Sequence, residues 1–293
     1  MRKIAHYLAV LLIVLLGLIG VAALVSTAVA GSRLNQTYEI TPENIEIPTD
    51  PAAVARGAYL AGAICSDCHG GDLSGGKMVD EPGMATVYAP NITPSETGVG
   101  DFSDADYVRA IRHGVDPQGR GLMIMPAEVF INWSAQDLGA IIAYLKSLPP
   151  NDNSTPPRSL GALGRILFAA GMMGDVMPAE YIDHAQPFPA MPPIGETAEY
   201  GAYMTQLYFC TGCHGQDMRG GVQPHSDPDM GPVPSAVDAA NWSQDEFITA
   251  LTTGVKPDGS LFDNERMPWQ SIARLNHEDL TAVYLYLQQL AGK

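Results

Sequence analysis

Positive charge is scarce in this sequence: 16 Lys and Arg stand against 32 Asp and Glu, for a formal net charge of −16 at pH 7. Phosphate backbones are bound by clustered Lys and Arg, so no nucleic-acid ligand is expected. An acidic surface keeps a protein soluble and also favours a basic partner, by an attraction that salt weakens. Cysteine is scarcer still. All four lie in two pentapeptides, "CSDCH" at 65–69 and "CTGCH" at 210–214, within 293 residues. Runs alternating with a period of two are missing as well, so strand content should be low.

Long apolar runs are few, but one opens the chain. After "MRK", residues 7–30 carry no charge, and roughly 20 apolar residues suffice to span a bilayer. Ala28-Val29-Ala30 also fits a signal-cleavage pattern, yet the run exceeds the ~7–15 residues of a signal core. An uncleaved anchor over 1–30 is the favoured reading. Arg2 and Lys3 stay inside, which puts the remainder outside the cytoplasm, on the periplasmic side of a bacterial cytoplasmic membrane. Residues 31–51 read as a tether.

The rest is a duplication. "GAYLAGAICSDCHGG" (57–71) matches "GAYMTQLYFCTGCHG" (201–215), with one extra residue before the second Cys. "FSDADYVRAIRHGVDPQG" (102–119) parallels "WSQDEFITALTTGVKPDG" (242–259), and Met-Pro at 125–126 and 267–268 precedes a final amphipathic stretch in each copy. The modules span 52–150 and 197–293, joined by a Pro-rich connector at 151–196. Each reads as helical. The middle helix starts with an S-x-x-[DE] signal at Ser103/Asp106 or Ser243/Glu246 and stops at Gly114 or Gly254. The last helix puts Leu138, Ile141, Ile142 and Leu145, or Leu280, Val283, Tyr284 and Leu287, on one face. Within the connector, "LGALGRILFAAGMMG" is expected to be a packed helix between the modules, with membrane contact as the alternative.

A C-x-x-C pair can serve zinc, a redox dithiol or a haem. Zinc would need further ligands, obtainable only by joining the modules, against the duplication. A thioredoxin-like dithiol needs a βαβ context that is not visible. C-x-x-C-H is a c-type haem attachment motif: two thioethers fix the porphyrin and the His takes the iron. Two copies in two like modules point to two covalently attached haem c groups, on Cys65, Cys68 and His69 and on Cys210, Cys213 and His214. With the cysteines consumed as thioethers, no disulfide is expected. The repeat nominates Met125 and Met267 as sixth ligands, because Pro126 and Pro268 hold each Met out of helical geometry. Met123 is the rival in the first module. His113 faces Thr253 in the repeat and is not expected to be a shared ligand. His184, His225 and His277 lack counterparts and read as surface or hydrogen-bonding residues, and His6 borders the anchor.

Each half resembles a class I c-type cytochrome. "APNITPSETGVGDFSDADYVRAIRHGVDPQGRGLMIMP" resembles, more closely, the cytochrome c subunits of membrane-bound alcohol and gluconate dehydrogenases, which carry three haem modules where this chain has two. The resemblance covers roughly 52–293. It implies an all-α fold of two tandem cytochrome c domains, which here stand behind the N-terminal transmembrane helix read from the apolar run; that anchor is a departure from the dehydrogenase subunits. It further implies a non-enzymatic electron carrier between a membrane dehydrogenase and a downstream acceptor such as a terminal oxidase complex or soluble cytochrome. The alternatives are a dihaem peroxidase, which needs a displaceable axial site with acid–base groups, and a haem-based sensor, which needs ligand exchange.

Overall fold

The computed structural model describes residues 2–221 and 232–293; His225 lies outside the described residues. An uninterrupted apolar sequence makes one helix, α1 (Arg2–Leu34), which runs four residues past the end of the expected anchor. It is long and apolar enough to cross a membrane.

The first module follows as α2 (Pro51–Ile64), α3 (Ser66–His69), α4 (Asp104–His113), α5 (Ala127–Phe130) and α6 (Ala135–Ser147). After the connector helix α7 (Ala162–Ala169), the second repeats it as α8 (Ala198–Leu207), α9 (Cys210–His214), α10 (Gln244–Thr253), α11 (Trp269–Ile272) and α12 (His277–Leu290). Both middle helices carry the full capping box, Ser103 with Asp106 and Ser243 with Glu246, and end in left-handed Gly114 and Gly254. First and last helices cross at a glycine in each copy. A Cβ on Gly57 would sit 1.9 Å from the Ala140 carbonyl, and one on Gly201 1.9 Å from that of Ala282. Only hydrogen permits that approach. The expected faces of α6 and α12 are buried, except that Tyr284 is half-exposed and donates to the Trp242 carbonyl at 2.8 Å.

Strand is sparse but present in the first module. β1 (Gly76–Glu81) and β2 (Ala85–Ala89) form an antiparallel hairpin, and β3 (Ser159–Leu160) pairs with β2. In β2, Ala85, Val87 and Ala89 point inward and Thr86 and Tyr88 do not, a period-two run too short to stand out in the sequence.

The stretch read as a tether packs on the first module. The Tyr38 N–H donates to the Gly119 carbonyl at 2.7 Å, Glu43 pairs with Arg112 at 3.1 Å, and Ile45 and Ile47 pack on the core. The connector also wraps that module. Asn151 and Asn153 carbonyls accept from the buried Asn91 amide, and the Arg112 guanidinium lies 3.8 Å over the Phe188 ring. Helix α7 packs against α1 and the β hairpin rather than between the modules, because its buried Phe168 shares a cluster with Ala30, Ala85 and Val87.

The two modules instead meet directly, through matched hydrogen bonds. The Tyr203 hydroxyl donates to buried Asp137 at 2.7 Å and accepts from the Ser134 N–H at 3.2 Å. Its repeat partner Tyr59 donates to Asp279 and accepts from the Asn276 N–H at 3.0 Å. Asp137 also receives Arg56 at 3.0 Å, and Asp279 receives Tyr200, the residue at the equivalent position, at 3.0 Å. Both carboxylates occupy the third position of a final helix, where the helix dipole favours an anion. A Phe130–Phe209 edge contact at 5.8 Å adds apolar area, and the two cores merge into one cluster.

Removing a buried acceptor strands its donors. Asp279→Ala is therefore expected to destabilise the chain by about 3 kcal/mol and Tyr203→Phe by about 1–2 kcal/mol. Denaturant melts of the full chain check both, and Tyr59→Phe in the Asp279→Ala background should cost much less than alone.

Candidate cofactor sites

Each C-x-x-C-H segment follows its module's first helix and forms a helical turn of its own. In the first module the Cys65 N–H donates to the Ala61 carbonyl at 2.8 Å, so α2 runs almost directly into α3. The second module has the extra residue. There α8 stops at Leu207, and Phe209 takes a left-handed φ of 66° before Cys210 restarts the turn. Beyond the motifs the copies coincide. The His69 carbonyl accepts from Gly75 at 2.8 Å and the His214 carbonyl from Gly220 at 2.7 Å, while Leu73 and Met218 share a left-handed backbone.

The imidazoles are oriented alike. His69 Nδ1 lies 2.7 Å from the Pro90 carbonyl oxygen, and His214 Nδ1 lies 2.9 Å from that of Pro234. A carbonyl only accepts, so Nδ1 carries the proton and Nε2 keeps its lone pair. Burial pushes both imidazoles below the ordinary histidine value, against the opposing pull of the carbonyls. A neutral imidazole with a free Nε2 is the form that ligates a metal.

The thiols behave differently from a redox pair. All four are free, and burial pushes Cys65 and Cys210 up to about 12, with Cys68 and Cys213 also raised. Reactive dithiols need a lowered value. Among the described residues no three Cys, His, Asp or Glu side chains converge as a metal cluster would require, so a zinc site joining the modules is not formed. One His and two Cys per module remain, a donor set that fits a thioether-linked haem and neither rival.

Met125 and Met267 occupy matching turns. The Met125 carbonyl accepts from Ala127 at 2.8 Å and that of Met267 from Trp269 at 2.6 Å, with Pro126 and Pro268 capping the next short helix. Both pack on the cluster that also contacts Cys65 and Cys210. Met123 belongs to the separate cluster around Phe168 and Met177. Ile124 divides the two methionines. Its left-handed φ of 68° costs a β-branched residue about 1–2 kcal/mol, and its N–H is held by the Val176 carbonyl at 2.8 Å.

Two unmatched histidines form a cluster of their own. His113 Nε2 lies 3.0 Å from Glu43, its Nδ1 3.2 Å from His184 Nδ1, and His184 Nε2 lies 3.2 Å from the Ala179 carbonyl. The wholly buried Arg112 completes the group on Glu43. The sequence signal for it was slight: Arg112-His113 ends α4 where the repeat has Thr252-Thr253. His277 is exposed at the start of α12, 4.0 Å from Glu196.

Two small helical modules, each following its first helix with a C-x-x-C-H turn whose imidazole Nδ1 is held by a proline carbonyl, have the character of a c-type haem protein. The cytochrome c family model matches residues 54–149 and 199–291, and the chain belongs to that family. Membership carries covalently bound haem c and electron transfer with it. The chain is 30% identical over 90% of its length to a nicotinate dehydrogenase subunit of Pseudomonas putida, of which it spans 24%. It is 26% identical to a dihaem c-type cytochrome of Cereibacter sphaeroides, covering 92% of this chain and 96% of that one. It is 27% identical to the cytochrome c subunit of a quinone alcohol dehydrogenase from Gluconacetobacter polyoxogenes, covering 89% of this chain and 59% of that one.

Burial lowers His113 although Glu43 pulls it back. Burial opposes ionisation of Glu43, yet its own backbone, His113 and Arg112 hold it below the ordinary range. Both groups therefore bind more protons unfolded than folded. Stability should fall as pH drops below His113's ordinary value of 6.5 and again through the carboxylate range. Thermal melts across about pH 7 to 5 should show a flatter upper part of this loss in His113→Thr than in the parent.

Proposed function

We propose that the chain is a membrane-tethered dihaem electron carrier, serving as the cytochrome subunit or partner of a dehydrogenase. Cys65 and Cys68 would hold one haem by thioethers, with His69 and Met125 as axial ligands. Cys210, Cys213, His214 and Met267 would hold the other. A His/Met haem supplies one-electron chemistry at raised potential with both axial sites filled.

The observation that carries this reading is the matched placement of the two donor sets. Each His is fixed by a proline carbonyl, and each Met sits in an equivalent turn on the cluster that contacts the first Cys of its motif. Met125 is preferred to Met123 because Met123 is committed to a different cluster. Between the modules, Trp133, Phe130 and Phe209 form a packed aromatic contact that reaches the residue before Cys210.

Helix α1 would anchor the chain in the cytoplasmic membrane, with Arg2 and Lys3 inside and both modules outside. Relatives that are themselves dehydrogenase subunits support a dehydrogenase as donor. The acceptor would be a terminal oxidase complex or a soluble cytochrome. The net charge of −16 favours a basic docking face on the partner.

A pyridine haemochrome assay is expected to give two haem c per chain. Carbon monoxide should leave the reduced spectrum unchanged, and prompt binding by the parent protein would sink the carrier reading. Met267→Ala should lower the potential of one haem and open that iron alone to carbon monoxide. If a redox titration leaves both potentials in place, Met267 is not a ligand.

A further inference from the structure

Helix α7 presents apolar side chains to solvent as well as to protein. Gly164 and Phe168 form its buried face, Gly164 so close to the Met84 carbonyl that a Cβ would approach to 1.9 Å. The other face carries Leu163 and Ile166, 51% and 44% exposed, and Met172 follows at 72%. Outside α1, seven large apolar side chains are exposed among the described residues, and three of them lie in this ten-residue stretch. Its one charge, Arg165, folds back on the Leu160 carbonyl at 2.9 Å. An apolar patch carrying a single charge is out of keeping with a chain of net charge −16.

The position of the patch identifies what covers it. Phe168 shares a cluster with Ala30 and Leu34 in the last turns of α1. Arg33 donates to the Phe168 carbonyl at 2.9 Å, stacks 4.3 Å over the Phe168 ring and pairs with Glu180 at 2.6 Å. The 33 residues of α1 make a rod of about 50 Å, longer than the ~30 Å hydrocarbon core. Its final turns, and α7 with them, therefore fall where a bilayer gives way to water.

We propose that the exposed face of α7, with Met172, is embedded in the headgroup–acyl boundary of the bilayer that α1 spans, as an interfacial helix beside the anchor. This rests on the anchor reading of α1. The contact sets orientation. Helix α7 is bonded to the β hairpin through Gly161 N–H to the Met84 carbonyl at 2.9 Å and Leu163 N–H to the Gly83 carbonyl at 3.1 Å. With two attachments, the first module is held at a fixed attitude to the membrane rather than swinging on a single helix.

The test places the full-length, haem-loaded chain in nanodiscs of phosphatidylethanolamine and phosphatidylglycerol containing a photoactivatable phospholipid, and maps lipid adducts by mass spectrometry. Adducts are expected on α1 and on residues 161–173, at several-fold the level on the exposed turn 256–260. Leu163→Asp combined with Ile166→Asp changes only exposed side chains. It should retain haem content and α1 adducts while losing those on 161–173. Adducts confined to α1 in the parent overturn the proposal and leave the anchor standing. No adducts on either segment overturn both readings. Protection of 161–173 by a second copy or another protein, without lipid adducts, also overturns it.

Discussion

Asp137 and Asp279 sit at equivalent points of the duplicated chain, each buried in the first turn of a final helix and each receiving a phenol from the other module. A buried carboxylate is tolerated only when its oxygens are satisfied, and here both modules contribute donors to each. Within its own module Asp137 receives Arg56 on both oxygens and Asp279 receives Tyr200 on one, and Tyr203 or Tyr59 adds a donor from across the interface. The same tyrosine oxygens accept from the N-caps Ser134 and Asn276, so the start of each last helix is completed by the opposite half. This reciprocity follows from duplication: one complementary patch, copied, meets itself about an approximate two-fold. It turns two small cores into one.

The cofactor loops hang from that merged core. Each lies directly beyond a first helix whose crossing with the last helix is fixed by Gly57 or Gly201. Each imidazole is turned by a proline carbonyl, and each methionine turn packs on the same cluster. The copies differ where the chain length differs. Phe209 absorbs one inserted residue by a left-handed turn, and that turn brings its ring against Phe130. An insertion in the sequence thus becomes an aromatic contact between modules.

The first module carries features the second lacks. The stretch after α1 and the connector both fold over it, and Glu43, Arg112, His113 and His184 tie three separate segments together. The β hairpin and α7 link it to the end of α1. Together these make the first module the one fixed to α1, while the Tyr–Asp bonds, the Arg274–Asp67 pair and the shared core join the second module to the first.

The C-x-x-C-H motifs were legible without coordinates, because covalent haem attachment demands a contiguous motif, and the repeat nominates Met125 and Met267 among 13 methionines. Helix starts, stops and apolar faces were legible for the same reason: caps and periodicity are local. The short hairpin was not, since five alternating residues are too few to register. The packing of residues 38–47 on the first module was not either, because those contacts join segments about 70 residues apart. Tyr59 was visible as a helix residue, but its partner Asp279 is 220 positions away. Sequence alone therefore determined the number of modules, the chemistry each is built to hold and the apolar lead. Tertiary structure alone decided how the modules join, which methionine shares a cluster with Cys65, and where α7 turns its exposed face. Those depend on side chains meeting across long loops, and nothing in a local pattern specifies which distant surface a burial-driven chain will choose.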